Sequence, residues 1–437
     1  LLRPLSMELS LDIDKETDLV SLAQYYVNEN NGHSRLIERL IDEIGIAKEP
    51  TVNHKLLAKL PISTYWTTNY DDLIEKALES EGKLADKKFT KNHLSQTKKG
   101  RSAIVYKMHG DASVADQAII TKDQYESYPL HFAPFVTALS GDLVSKTFLF
   151  LGFSFTDPNL DYILSRIRIH FEKNQRQHFC IFRKVDRKDY DTDEDFKYHE
   201  LKQTFVIKDL GRFSIKVVLI DAWKDLTAIL EEITKKFRCK NVFLSGSAHD
   251  FGSWEQSSTE LFLSKLGEIL IQEGLKITSG LGVGIGNAFI SGAIKEIYEK
   301  KYSKVDDYLT MKVFPQFVED PDERKRIWTL WRKDLLSQAG IALFFMGNKI
   351  NTQTTSVVLA DGMEEEFKIA KDLGLKIIPI GASGYKAKEL FDRVIADFDQ
   401  YYPNATPQFR EAFEKLDESV EEPLQLLSKI LNVIKLI

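Results

Sequence analysis

Cysteine is scarce in this chain, which has 437 residues and only two cysteines, Cys180 and Cys239. Two cysteines cannot supply the four thiolates of a structural zinc site, and disulfide scaffolds use more of them. We therefore expect neither a metal ion nor a disulfide framework in the folded protein. A reducing compartment is the natural setting for such a chain, so we predict that it is cytoplasmic.

A net positive charge and long apolar segments are also missing. The chain has 59 Lys and Arg against 65 Asp and Glu, which gives a net charge of −6. Binding to nucleic acid requires a basic stripe that neutralises phosphates, and no such stripe is present. No apolar run approaches the roughly 20 residues of a membrane-spanning helix. The sequence therefore predicts neither a nucleic-acid nor a membrane partner, and the apolar positions of 426–437 predict a helix that packs on the protein.

Length and periodicity predict two α/β domains in tandem. A chain of 437 residues is long for one hydrophobic core. Apolar positions at helical spacing fill the first fifty residues, and β-branched or aromatic strands then alternate with helices. Such alternation favours parallel sheets that helices cover on both faces. The predicted fold class is α/β, with two Rossmann-like parallel-sheet domains, residues 1–235 and 236–437, and an added helical layer in the first.

Three polar clusters stand directly after predicted strands of the first domain. They are Thr68-Asn69-Tyr70-Asp71, His109-Gly110-Asp111, and Gly152-Phe153-Ser154 with Asp157 and Asn159. Ligands of open α/β sheets bind beyond the carboxyl ends of the strands, so we expect the clusters to meet in one nucleotide site. Each cluster also has a simpler interpretation: Asn69 as a helix N-cap, His109 as a structural histidine, and the Gly-Phe-Ser segment as a turn. Only their combination favours a site.

The same segments resemble three motifs of the sirtuin-related domains found in bacterial defence proteins. The resemblance implies that Asn69 and His109 carry the chemistry. Asn69 would position the water or the nicotinamide end of NAD+, and His109 would act as a general base. Asp157 would order the turn rather than act in catalysis. The residues implied to line the NAD+ pocket are Thr68, Asp71, Gly152, Ser154 and Asn159.

Two departures from that family bear on function. The family begins with a glycine-rich loop that cradles the pyrophosphate, and residues 1–60 contain no such loop. We expect it to lie before Leu1; a protein without it would be a non-catalytic nucleotide sensor. Sirtuin-type protein deacylases carry a four-cysteine zinc module, which two cysteines cannot supply. The cysteine content therefore favours hydrolysis of NAD+ over deacylation.

A glycine-rich loop follows a predicted strand of the second domain. Its glycines are Gly280, Gly282, Gly284 and Gly286, and their spacing does not satisfy G-x-G-x-x-G. Glycines at a helix N-terminus let the backbone approach phosphates closely, although a tight turn would also need them. The segment Ser245-Gly246-Ser247 is predicted to form a second turn of suitable size for a phosphate.

The second domain resembles the nucleotide-sensing, SLOG-type Rossmann-like family that is related to phosphoribohydrolases. Those enzymes use a Pro-Gly-Gly-x-Gly-Thr-x-x-Glu segment, whereas this chain has Ala360-Asp361-Gly362-Met363-Glu364-Glu365-Glu366. The missing glycines favour sensing over hydrolysis. By position, the resemblance makes Arg332, Lys349 and Glu366 the ligand contacts. The simpler interpretations are an ion pair between Arg332 and the nearby Asp334, and acidic residues at a helix start.

The order of the two domains resembles the NAD-cleaving effectors of the Thoeris antiphage system over nearly the whole chain. The resemblance implies that a partner with a Toll/interleukin-receptor (TIR)-type domain makes a cyclic ADP-ribose isomer. The second domain would bind this signal, and the first would then destroy cellular NAD+. A homotetramer is implied as well. No cofactor is expected, because NAD+ is the substrate and the cyclic nucleotide is the activator.

Overall fold

The computed structural model describes residues 2–13, 18–44, 48–153, 155, 157–171, 174–300, 304–315, 318–351 and 354–437. The chain forms two compact units, Leu1–Thr234 and Lys235–Ile437. The division falls inside a helix, Trp223–Arg238, so the chain passes from one unit to the next in helical conformation.

The described strands of the first unit form two parallel sheets of three strands each. The first sheet consists of β1 (Thr64–Thr67), β2 (Ala85–Lys88) and β3 (Ala103–Lys107), in the order β1-β3-β2. The second consists of β4 (Leu149–Leu151), β5 (His178–Arg183) and β6 (Ile215–Ile220), in the order β4-β5-β6. Apolar patterning does not reveal β2, because three of its four residues are charged.

Helices make up most of the remaining first unit, and the first three form a layer of their own. The helices are α1 (Leu2–Glu8), α2 (Leu19–Glu29), α3 (Ser34–Ile44), α4 (Val52–Lys59), α5 (Leu73–Ser80), α6 (Lys91–Ser95), α7 (Lys122–His131), α8 (Ala133–Ser145), α9 (Pro158–Phe171), α10 (Asp193–Gly211) and α11 (Trp223–Arg238). Helices α1 to α3 share a small core through Leu5, Tyr26, Leu36 and Leu40, which are almost fully buried. This core confirms the predicted helical layer.

A larger core fixes β4 and α9, the elements around the third polar cluster. Helix α8 contributes Phe135, Leu139 and Leu143, whose spacing of four places them on one helical face. They pack with Phe150 of β4 and Ile163 of α9, and all five side chains are buried. The hydrophobic core therefore fixes the position of the carboxyl end of β4.

The second unit contains a Rossmann-like sheet, as predicted. Its strands are β7 (Asn241–Ser247), β8 (Lys276–Ser279), β9 (Leu309–Met311), β10 (Ile341–Met346), β11 (Asn348–Ile350), β12 (Val357–Leu359) and β13 (Lys376–Pro379). Five of them pair in parallel in the order β13-β10-β7-β8-β9, and β11 and β12 form an antiparallel pair. The strand order reverses between β7 and β10, which is where open α/β sheets bind ligands.

Helices complete the second unit. They are α12 (Gln256–Gln272), α13 (Gly286–Glu299), α14 (Val305–Tyr308), α15 (Pro321–Ser337), α16 (Asp361–Asp372), α17 (Tyr385–Ala396), α18 (Phe398–Tyr401), α19 (Pro407–Glu414) and α20 (Leu426–Lys435). All six residues of β10, an interior strand of the sheet, are buried. Helix α20 buries Leu426, Ile430 and Val433 completely in the same core, which confirms the predicted packing of the C-terminal helix.

The prediction of a turn at Ser245-Gly246-Ser247 is wrong. These residues are the last three of β7, and they pair with Phe344 to Met346 of β10. A Cβ atom on Gly246 would lie 2.3 Å from the carbonyl oxygen of Phe345. The glycine is therefore needed for close packing inside the sheet rather than for a turn.

Membrane spans and metal-binding clusters are absent from the described residues of both units. Within the described ranges, no helix is both long and apolar enough to cross a membrane. In the same part of the chain, no group of three or more His, Cys, Asp or Glu side chains is arranged to hold a metal ion. Cys180 is buried in β5, and burial raises the pKa of its thiol to about 12. Its thiol is therefore neutral near pH 7 and is not a nucleophile.

Candidate active site and candidate nucleotide site

A cavity of about 510 Å³ lies between the end strands of the two sheets in the first unit. Residues of β1 form one part of its wall, and residues of β4 form another. Thr68 and Asn69, which follow β1, and Gly152, which follows β4, also border it. The structure thus brings residues of two of the predicted polar clusters to one cavity.

The carboxamide of Asn69 is exposed at this cavity rather than used as a helix cap. The N-cap of α5 is Asp72, and the backbone N–H of Asn69 donates to Oγ1 of Thr67 at 3.0 Å. Asp71, which was expected in the NAD+ pocket, accepts a hydrogen bond from the N–H of Leu73 at 3.2 Å and does not border the cavity. Asp71 thus stabilises the start of the helix, whereas Asn69 borders the cavity.

His109 lies after β3 and is almost fully buried, so it does not border the cavity itself. The hydroxyl of Tyr125 is 3.2 Å from its Nδ1 atom. Its Nε2 atom lies 3.1 Å from Oδ2 of Asp157, which is an ion-pair distance. Asp157 borders the cavity, so His109 is connected to the cavity through this carboxylate.

A buried lysine joins the loops that carry Asn69 and His109. The ammonium of Lys107 donates to the carbonyl oxygens of Tyr70, at 3.0 Å, and Asp71, and to the carboxylate of Asp111 at 2.6 Å. Burial alone would raise the pKa of Asp111, but hydrogen bonds from Lys107 and Ser113 hold it well below its usual range. One cation therefore fixes the ends of β1 and β3 side by side. The sequence placed Lys107 next to the His109 motif but indicated no role for it.

Asp157 performs two tasks, of which the sequence predicted one. Its Oδ1 atom accepts hydrogen bonds from the N–H groups of Asn159, at 2.8 Å, and Leu160, at 3.3 Å, and so orders the start of α9. Its other oxygen faces His109. Burial alone would raise the pKa of Asp157, but the imidazole and the two N–H groups outweigh it and lower the pKa. The carboxylate is thus charged next to the imidazole.

Of the other residues predicted to line the NAD+ pocket, Gly152 borders the cavity and Asn159 does not. Gly152 has a φ of +62°, in the left-handed region that favours glycine. Asn159 is almost fully buried and does not border the cavity, and its Nδ2 atom has no hydrogen-bond partner among the residues that the structure describes. Ser154 lies outside the described residues. Their contacts with NAD+ stay predictions.

Replacing Asp157 by Asn is expected to lower kcat/KM by about tenfold or more. An asparagine Oδ1 can still accept both N–H groups at the start of α9, so the turn remains while the negative charge beside His109 is lost. Without that charge the imidazolium that forms during the reaction loses its stabilising partner. The single-turnover rate of nicotinamide release at saturating NAD+ measures this effect on the chemical step.

A neighbouring acid separates a charge effect from a structural one. Asp161→Asn removes a charge in the first turn of α9 and should keep the wild-type rate. A wild-type rate in Asp157→Asn as well would show that Asp157 only orders the turn.

A cavity of about 500 Å³ lies in the second unit where the strand order reverses. Its wall includes the end of β7, the start of β11 and the first turn of α16. Among the predicted ligand contacts, Ser247, Arg332 and Lys349 border this cavity. The predicted contacts that do not border it are Ser245, Gly246, Gly280, Gly282, Gly284 and Glu366.

The glycine-rich loop is packed against the segment at the end of β7. A Cβ atom on Gly282 would lie 2.0 Å from the carbonyl oxygen of Gly246, and one on Gly284 would lie 1.9 Å from that of Ala248. The N–H of Ala248 donates to the carbonyl of Val283 at 2.9 Å. These contacts explain the glycines by the close approach of two backbones. Only Val283 of this loop borders the cavity.

Arg332 is almost fully buried and pairs with α16. Its Nη1 atom lies 2.6 Å from a carboxylate oxygen of Glu365, and its Nε atom lies 3.4 Å from one of Glu366. The suggested ion pair with Asp334 is wrong, because Asp334 pairs with Lys312 instead. Arg332 therefore holds α15 against α16 and presents part of its guanidinium to the cavity.

The second predicted cation and the predicted carboxylate also have internal partners. Lys349 lies 2.8 Å from Asp361, so both cations of the cavity are paired with acids of α16. Glu366 accepts a hydrogen bond from Oγ of Ser245 at 2.5 Å, and its side chain is 14% exposed. Burial raises the pKa of Glu366, against the effects of Ser245 and Arg332. Glu365 borders the cavity in its place.

Three cavity residues carried no signal in the sequence. Asn348 accepts hydrogen bonds from the N–H groups of His249 and Asp250, both at 2.9 Å, and so shapes the loop after β7. Phe314 and Trp328 form an aromatic pair with ring centroids 4.8 Å apart. Their spacing suits an ordinary core as well, so only the cavity distinguishes them.

Both units match known protein families. Residues 63–206 match the family model described as a SIR2-like domain. Residues 225–437 match the model STALD, described as the Sir2- and TIR-associating SLOG family. The chain is thus a SIR2-like domain followed by a SLOG-family domain, and in each of them residues that follow parallel strands border a cavity.

Full-length relatives narrow this class to one family. The chain is 82% identical over 441 residues to the NAD(+) hydrolase ThsA of Acinetobacter baumannii (strain 532279), covering 100% of this chain and 92% of the relative. It is 43% identical to NAD(+) hydrolase ThsA of Bacillus cereus (strain MSX-D12), covering 100% and 91%, and 40% identical to that of Enterococcus faecium, covering 100% and 92%. The chain belongs to the family of NAD(+) hydrolase ThsA.

Proposed function

We propose that the first unit hydrolyses NAD+ to nicotinamide and ADP-ribose, and that a cyclic ADP-ribose isomer bound in the second unit activates it. The observation that carries the proposal is the cavity at which Asn69 meets the carboxylate paired with His109. The family of NAD(+) hydrolases to which the chain belongs supports the same reaction. NAD+ is then a substrate, and no resident cofactor takes part.

The reaction replaces one bond at the ribose C1′ atom. The bond from C1′ to the nicotinamide nitrogen breaks, and its electron pair leaves with nicotinamide through an oxocarbenium-like transition state. A water oxygen bonds to C1′, and its proton passes to the pair of His109 and Asp157, whose carboxylate borders the cavity, and from there to solvent. Asp157 stabilises the imidazolium that forms, and the Asn69 carboxamide orients the water or the nicotinamide.

The second cavity suits an anionic nucleotide with sugar hydroxyls. Arg332 and Lys349 offer cations to a pyrophosphate, and Glu365 offers a carboxylate to a ribose diol. Both cations already pair with acids of α16. A bound pyrophosphate has to replace these acids as their partner, so binding changes the forces on the start of α16. This exchange supports a signalling role for the site.

At the level of the cell, the protein acts in antiphage defence by depleting NAD+. The signal comes from a partner with a TIR-type domain, in keeping with the description of the matched family as TIR-associating. The active form is a cytoplasmic homotetramer. Light scattering with and without the cyclic nucleotide measures the number of subunits in solution.

The test incubates the whole chain with NAD+ and each cyclic ADP-ribose isomer in turn. Chromatography measures the nicotinamide and ADP-ribose that are released. We expect slow cleavage alone and faster cleavage with one isomer. A protein that binds an isomer but cleaves no NAD+ is a non-catalytic sensor and contradicts the proposal. Removal of acetyl groups from an acetylated peptide, with formation of acetylated ADP-ribose, would instead identify a deacylase.

A further inference from the structure

A tryptophan on α15 separates two neighbouring cavities of the second unit. Trp328 is half-buried and borders both the 500 Å³ cavity and a second one of about 260 Å³, which is lined mainly by α15. Arg332 and Glu365 border both cavities as well. The two cavities are therefore adjacent parts of one binding surface.

The ring of Trp328 is held in place by neighbours on its edge and sides. Its Nε1 atom donates to the carbonyl oxygen of Pro315 at 3.0 Å, which satisfies the only polar atom of the indole. The ring of Phe314 lies 4.8 Å away at an angle of 58°. The guanidinium carbons of Arg324 and Arg332 both lie over the ring, each 6.0 Å from the Trp328 centroid. A fixed aromatic ring thus lies beside two cations.

This arrangement combines the two elements by which proteins hold a nucleotide. An aromatic face stacks on a base without regard to its hydrogen-bonding edge, and neighbouring cations bind the phosphates. Phe314 borders only the larger cavity, and Trp331 packs on it with ring centroids 4.7 Å apart. Trp328 is left as the aromatic surface that borders both cavities.

We propose that Trp328 stacks on the purine base of the activating nucleotide and that the site therefore selects ligands that carry a base. The inference rests on the proposed function, since it names how that ligand is recognised. The competing explanation is that Trp328 only supports the guanidinium of Arg332. In that case its removal would weaken every anionic ligand alike.

The test compares ligands with and without a base by calorimetry on the full chain. The ligands are the activating cyclic ADP-ribose isomer, ADP-ribose and ribose 5-phosphate. For Trp328→Ala we expect about tenfold or greater loss of affinity for the first two and little change for ribose 5-phosphate. Trp328→Phe keeps an aromatic face and should recover most of the affinity. Stacking should also quench tryptophan emission in the wild type and not in Trp328→Phe.

A neighbouring tryptophan supplies the matched control. Trp331 lies on the same helix, packs on Gly280 and Phe314, and borders neither cavity. Trp331→Phe should keep both the affinity and the quenching. Equal losses for all three ligands in Trp328→Ala, unchanged affinity, or no nucleotide binding by the wild type would each overturn the proposal. Base-dependent binding without NAD+ cleavage would refute the proposed function and leave this inference intact.

Discussion

Replacing His109 by Ala is expected to lower kcat for NAD+ cleavage by about 10²- to 10⁴-fold, the range of general acid–base catalysis. The imidazole is the proton acceptor next to the cavity, and its position is fixed from both sides. Tyr125 contacts Nδ1 at 3.2 Å, and Asp157 faces Nε2 at 3.1 Å. The carboxylate of Asp157 connects Nε2 to the cavity, so both groups act on the proton of the reacting water.

The measurement is the single-turnover rate of nicotinamide release at saturating NAD+, because it isolates the chemical step. His109→Gln keeps the side-chain volume and should be as slow as His109→Ala. His178, a second buried histidine of the first unit, provides the control. His178→Gln removes a hydrogen bond to the N–H of Phe148 and should keep most of the rate.

Three outcomes differ clearly for this residue. Loss of cleavage in both His109 variants with unchanged melting temperature and unchanged binding of the cyclic nucleotide supports the catalytic role. A slow His109→Ala with a normal His109→Gln would assign His109 to packing alone. Cleavage at the wild-type rate in both variants would remove it from the mechanism.

Much of the fold could be predicted from the sequence because apolar residues recur at the regular spacing of helices and strands. Strand β10 is an uninterrupted apolar run, and β6 and β10 have the bounds that β-branched and apolar residues suggest. Strand β2 was missed because its lysines and aspartate pair with other charges: Lys88 with Asp86, and Asp86 with Arg101. Local hydrophobicity cannot report a strand that satisfies its charges in tertiary structure.

The two candidate sites depend even more on tertiary contacts, which the sequence does not show. The motifs led to Asn69 and His109, but the pairing of His109 with Asp157 depends on loops that follow different strands. In the second unit the glycines looked like phosphate contacts, whereas Gly282 and Gly284 admit neighbouring carbonyl groups. Glycine permits close approach, and sequence does not tell whether a phosphate or a backbone approaches.

Replacing Arg332 by Ala is expected to weaken binding of the cyclic nucleotide by about 30-fold or more, as for other paired and buried charges. The side chain borders the cavity and lies between two carboxylates of α16. Removing it takes a cation from the phosphates and leaves Glu365 and Glu366 to repel them. NAD+ cleavage then no longer responds to the signal. Calorimetry measures the affinity, and nicotinamide release measures the response.

The fold of the second unit needs a separate control, because Glu366 is largely buried. A buried carboxylate without its partner destabilises a protein by about 3–5 kcal/mol. The triple variant Arg332→Ala with Glu365→Gln and Glu366→Gln removes both uncompensated charges. We expect it to melt near the wild-type temperature and still to bind the nucleotide weakly. A glutamine at position 365 still accepts a hydrogen bond from a ribose hydroxyl, so the loss is assigned to the missing cation and not to unfolding.

Replacing an acid of α16 is expected to strengthen nucleotide binding, whereas replacing Arg332 is expected to weaken it. Asp361 pairs with Lys349 at 2.8 Å and is largely exposed, so it competes with a phosphate for the same ammonium. Asp361→Asn should therefore tighten binding by about twofold to fivefold, the range of an exposed ion pair, with no loss of stability. Tighter binding in Asp361→Asn together with weaker binding in the triple variant means that phosphates and carboxylates exchange on the same two cations. Wild-type affinity in the triple variant would place the phosphates elsewhere, and weaker binding in Asp361→Asn would make Asp361 a ligand contact instead of a competitor.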